Sequence, residues 1–157
     1  SNLDELDASL SSVSDKAYSI REGMKTAEER MKKLQKLIEC GKNYLTYKPV
    51  QNEYRQIRWK GKQEKFAEAH RAELTLWNAA SRYLHANFPD VKALPISEWK
   101  QEYADLKAQR DTDYAKLKAT RAEVAELQKI RKCVDVALKA EQPEQTQTHT
   151  KRHDIDR

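Results

Sequence analysis

The sequence predicts an all-α protein, a long antiparallel coiled-coil hairpin with a small helical head between its two long helices. Two runs of apolar residues step by three and four over many turns. Three glycines and four prolines in 157 residues leave little turn chemistry for a sheet fold. Hydrophobic residues make up 38% and charged residues 35%, so buried surface must be thin.

The first run is Leu3, Leu6, Leu10, Val13, Ala17, Ile20, Met24, Ala27, Met31, Leu34 and Ile38. An amphipathic helix of a globular protein drifts away from a strict 3.5-residue period over such a length, so the run predicts a coiled-coil helix over residues 3–40. Gly41, directly after it, reads as the C′ residue that ends this helix.

Residues 41–95 have a different composition, with Trp59, Trp77 and most of the Pro and Gly, and read as the helical head. A short helix is expected over 50–60, bearing Tyr54, Ile57 and Trp59 and closed by Gly61. A second is expected over 63–86, with a broad apolar face that includes Phe66, Leu74, Trp77, Ala80 and Leu84. Phe88-Pro89-Asp90 ends it, and Leu94-Pro95 leads into the next element.

The second long helix is expected over 96–140, with Ser97 as its N-cap and a seam of Ile96, Trp99, Tyr103, Leu106, Leu117, Val124, Leu127, Val134 and Leu138. Arg110, Asp113 and Thr120 replace aliphatic groups midway, where packing should loosen or recruit Tyr114. A three-helix up-down-up bundle is the competing arrangement. The helix over 63–86 would span only about 36 Å, too short to cover both seams. Residues 141–157 form a polar tail that cannot bury itself.

Catalytic chemistry finds little support. Gly23, Gly41 and Gly61 stand alone, without the glycine run that cradles phosphate. His149 and His153, with Asp154 and Asp156, could meet one metal only if the tail were helical, and nothing closes such a site. His70 and His85 lack the carboxylate or cysteine partners of a catalytic set. Cys40 and Cys133 have no neighbours at metal-ligand spacing. No metal, cofactor or catalytic residue is expected. No stretch is long and apolar enough to span a membrane, the start lacks the pattern of a signal peptide, and a reducing cytoplasm is the expected location. The heptads already run at Leu3 with no initiator Met before them, which is expected of a piece of a longer protein.

The stretch above background is Arg55-Gln56-Ile57-Arg58-Trp59-Lys60-Gly61-Lys62-Gln63-Glu64-Lys65, five bases against one acid with an aromatic among them. Arg55, Arg58, Lys60, Lys62 and Lys65 could neutralise phosphates while Trp59 stacks on an unpaired base. The bland alternative is a solvated connector whose tryptophan tucks into the head. A net charge of +5 fits an anionic partner without requiring one.

Several landmarks resemble a known family. Glu28-Glu29-Arg30-Met31-Lys32-Lys33-Leu34, Tyr44, Tyr47-Lys48-Pro49-Val50 and Glu53-Tyr54 are similar to the C-terminal helical region of relaxases, the mobilization nucleases of conjugative elements in Gram-positive gut bacteria. The likeness continues through Lys65-Phe66-Ala67-Glu68-Ala69-His70-Arg71-Ala72-Glu73-Leu74-Thr75-Leu76, Ala79-Ala80, Leu94-Pro95, Gln101-Glu102-Tyr103 and Tyr114, covering about 28–138. The resemblance implies a parent enzyme that nicks one DNA strand with a tyrosine nucleophile and a histidine-bound metal, both in an N-terminal domain. No residue here matches those elements, so no catalytic role is carried over. Two functions are expected on these grounds. One is a non-catalytic accessory domain that assists DNA mobilization by binding DNA, the transfer machinery or the parent relaxase domain. The other is a coiled-coil spacer or oligomerisation module, with helices paired within one chain or in a homodimer.

Overall fold

The computed structural model describes residues 2–141, and the helices follow in the order α1 (Asn2–Gln56), α2 (Lys60–Ala69), α3 (Arg71–Asn87) and α4 (Ile96–Ala140). No strand occurs among the described residues. All but the first residue of the tail, including His149 and His153, lie outside them. Two compact units are distinguished, one of residues 2–24 with 111–141 and one of Lys25–Arg110.

Helix α1 does not stop at Gly41. It continues to Gln56 and takes in Pro49, so the 50–60 segment is no separate short helix. Gly41 has no positive φ, and its missing side chain serves packing instead. A Cβ there would meet Ile96 Cδ1 at 3.1 Å, Ile96 Cγ1 at 3.2 Å and Trp99 Cζ3 at 3.4 Å. The glycine therefore lets the first turn of α4 lie against α1. Pro49 lacks an N–H, which leaves the Leu45 carbonyl without its usual helical donor.

Burial along both long helices repeats every seven residues. On α1, residues 3, 6, 10, 13, 17, 20, 24, 27, 31 and 34 are half-buried or buried. On α4 the same holds for 99, 103, 106, 110, 113, 117, 120, 124, 127, 131 and 134. The steps of three and four persist through the polar positions.

In the unit of residues 2–24 and 111–141, Leu117 and Thr120 are the buried side chains among those described. Thr120 tolerates burial because its Oγ1 donates to the Lys116 carbonyl at 2.8 Å, within its own helix. Of the two expectations for this stretch, looser packing or recruitment of Tyr114, the second is not met, since Tyr114 is 55% exposed. Arg131 Nε donates to Asp7 Oδ1 at 2.5 Å across the pair of helices.

The unit Lys25–Arg110 holds the main core. Leu34, Leu37 and Cys40 of α1 meet Ala80 and Leu84 of α3, Val91 of the following turn and Trp99 of α4. Leu34 and Leu84 are wholly buried. Phe88 sets its ring edge-on to Trp99, with centroids 5.3 Å apart. Arg30 grips Glu102 through two bonds of 2.7 and 3.1 Å, which holds the Glu102 carboxyl below its usual range.

The expected continuous helix over 63–86 is divided at His70. His70 has φ −115° and ψ 27°, caps α2 through its N–H to the Phe66 carbonyl, and begins α3. Its ring packs on Phe66 at 4.3 Å, and its Nδ1 lies 3.2 Å from Glu73 Oε1. Helix α4 begins at Ile96, one residue before the expected cap Ser97.

The glycines separate two effects that substitution can measure. A Cβ at Gly23 meets nothing within 4 Å, so Gly23→Ala should raise stability by about 0.5–1 kcal/mol through backbone entropy. Gly41→Leu forces bulk against Ile96 and Trp99 and should lower it by about 1–3 kcal/mol. Urea denaturation of the two variants beside the wild type checks both signs.

Candidate functional site

The basic run sits where α1 ends and α2 begins. Arg55 lies in the last turn of α1, where a cation complements the helix dipole. Two bonds to the Tyr54 carbonyl close that helix, from the Ile57 N–H at 3.3 Å and from Gln63 Nε2 at 3.1 Å. Residues 57–59 are non-helical. Trp59 is extended at φ −89° and ψ 122° and precedes α2 without a side-chain cap.

That extended backbone turns Trp59 outward, and it is 72% exposed. The tucked-in tryptophan of the bland reading is not found. Trp99 fills the core and Trp77 stacks on Tyr44 at 5.5 Å instead. Arg55, Arg58, Lys60, Lys62 and Lys65 are all exposed, and none has an ion-pair partner among the described residues.

The six residues gather at one junction but do not form a single stripe. Lys62 and Lys65 are three apart and share one side of α2, whereas Lys60 lies about 200° around the axis from Lys62. Helix α2 has no acid in its first turn, and Gly61 faces open space. Its first N–H groups thus add partial positive charge beside Trp59. The arrangement can meet a chain of phosphates and offer one aromatic face.

A second feature of the same unit escaped the sequence reading. A groove of about 290 Å³ opens between the end of α1 and the start of α3, lined by Gln51, Tyr54, Arg71, Leu74, Thr75 and Asn78, with Ala67 of α2. Gln51 is only 8% exposed, and among the described residues the buried side-chain polar atom without a hydrogen-bond partner is Trp77 Nε1. Tyr44, Tyr47, Gln51 and Tyr54 prolong the three-four step past Gly41, so a glutamine at a buried position was the available signal.

Among the described residues no group of three His, Cys, Asp or Glu side chains could hold a metal ion, and no helix is long and apolar enough to cross a membrane. No family model, curated protein or solved structure matches the chain.

Both cysteines are free thiols, Cys40 buried and Cys133 exposed. Burial pushes the Cys40 thiol up in pKa, which suppresses the reactive thiolate. An aromatic disulfide reagent at mildly alkaline pH should therefore titrate Cys133 at once and Cys40 only slowly, with the second thiol released in full on adding denaturant.

Proposed function

We propose that this chain is the non-catalytic accessory C-terminal region of a conjugative relaxase, and that the junction of α1 and α2 binds DNA, by preference single-stranded. The observation that carries this reading is Trp59, 72% exposed amid five exposed bases. Exposing an indole to water is unfavourable, and an aromatic platform between phosphate-binding cations is what a single strand engages. The resemblance to relaxase C-terminal regions supplies the biological setting, a cytoplasmic one, where DNA is nicked and one strand handed on.

In this reading the long helices form an antiparallel coiled coil that presents the head. The seven-residue repeat of burial supports the coiled coil. Arg30 meets Glu102, and the Gly41 position abuts Ile96 and Trp99, so moving up α1 means moving down α4. The same repeat also favours the second reading, a spacer or oligomerisation module without nucleic-acid contact.

Titration of fluorescent single- and double-stranded oligonucleotides at low and moderate salt decides between them. The wild type should bind with a Kd of about 1–100 μM and no strong sequence preference. Replacing Arg55, Arg58, Lys60 and Lys62 by Ala should weaken binding and flatten the salt dependence by roughly 0.7–0.9 of a log unit for each phosphate no longer neutralised. Trp59→Ala should weaken the single strand more than the duplex. Equal binding by all variants clears the junction of the role, and no binding at low salt leaves the spacer reading.

A further inference from the structure

The side of α1 that faces α4 runs from Met31, which shares a cleft with Tyr103, to Gly41, where the first turn of α4 lies against it. Helix α4 begins at Ile96, whereas α1 runs on to Gln56, about four turns beyond that contact. The same three-four step places Leu45, Lys48, Asn52 and Arg55 on the continuation of this side. All four are exposed, Leu45 by 52%. A stripe that is apolar under α4 thus becomes a basic, polar ledge where α4 no longer covers it. Glu53, the acid of this stretch, lies about 100° around the helix from Asn52. Lys48 Nζ sits 5.6 Å from the centre of the Tyr44 ring, a contact that orients the ammonium without neutralising its charge. Seven residues separate Lys48 from Arg55, which sets them about 10 Å apart along the axis.

We propose that this ledge carries the backbone of the bound single strand away from Trp59 and along α1 towards Leu45. This rests on the single-strand reading above and adds the path and length of the strand to it. Arg55 belongs to both parts, as the basic residue of the last turn of α1 and the first of the junction, so the track is continuous. Arg55 and Lys48 meet phosphates, the Asn52 amide donates to a backbone oxygen between them, and Leu45 offers apolar surface at the far end. The direction follows from charge. Helix α2 mixes Glu64 and Glu68 with its lysines, whereas the ledge carries no acid. Contacts to phosphate and sugar carry no base preference, so the ledge supplies affinity that grows with strand length, not selectivity for sequence.

The test uses the full chain and two fluorescein-labelled oligothymidylates, a tetramer that fits the junction alone and a decamer that reaches the ledge. The wild type should bind the decamer about ten-fold tighter than the tetramer. Lys48→Ala combined with Asn52→Ala should remove most of that gain and leave tetramer binding nearly unchanged. Lys25→Ala removes the same charge from an exposed position farther along α1 and should leave the ratio as it is. In the nitrogen-15-labelled wild type, the decamer should shift the side-chain amide signals of Asn52 and the tetramer should shift them less. Thermal melting of each variant shows that it is folded. A ratio unchanged by the double replacement overturns the ledge and leaves the basic junction standing. A ratio that falls as far with Lys25→Ala traces the gain to overall charge and overturns the ledge as well. Failure of the wild type to bind either oligonucleotide at low salt overturns the single-strand reading itself, and the ledge with it.

Discussion

Everything in the unit Lys25–Arg110 depends on the closure of three helices over Leu34 and Leu84, the two side chains with no exposure at all. With Leu37, Cys40, Ala80, Val91 and Trp99 they form the main apolar cluster of the chain's described residues. Area removed from water is the dominant favourable term in folding. Removing Leu34 or Leu84 would release α3 from α1, and with it the groove and the setting of the basic junction. The ion pair of Arg30 with Glu102 is a lesser contributor. Its side chains are each 42% exposed, so solvent and salt screen it. Because the Glu102 carboxyl is held below its usual range, the stabilisation it gives is present above the unfolded carboxylate pKa and fades as pH falls through the folded one.

How much of this was legible in the sequence follows from what kind of signal each feature leaves. The seven-residue period is a long-range pattern and survives local irregularity, so the all-helical class and the extent of burial along α1 and α4 could be read from it. Gly41 misled because glycine after an apolar run is a common helix end, and local propensity carries no record of a neighbouring Ile96 and Trp99. Pro49 lies inside the same helix, and nothing local shows that an interior proline will be carried through. The break at His70 leaves no glycine or proline. The His70 ring there packs on Phe66 and lies beside the Glu73 carboxylate, tertiary contacts that composition does not register.

The candidate site was legible in part for the same reason. Charge density and an aromatic neighbour are local properties, and they identified Arg55, Arg58, Trp59, Lys60, Lys62 and Lys65. Whether Trp59 points outward is a tertiary property, decided by the extended backbone at 57–59 and by the core having already filled with Trp99. Gln51 was missed because α1 was expected to end at residue 40 rather than at Gln56, which removed the frame in which a glutamine at a buried position would look anomalous. A wrong element boundary therefore hid a groove.

Pro49 has a consequence for how α1 opens. Amide exchange proceeds through local unfolding, and a helix peels back most easily from an end whose hydrogen-bond ladder is already interrupted. Beyond Pro49 the helix keeps two turns, ending at Gln56, with Gln51 as the sole buried side chain there. Before it, Leu34, Leu37 and Cys40 tie the backbone to the core. The two turns that carry Gln51 and Arg55 therefore have fewer ties to the core than the body of the helix, and their amides should exchange sooner.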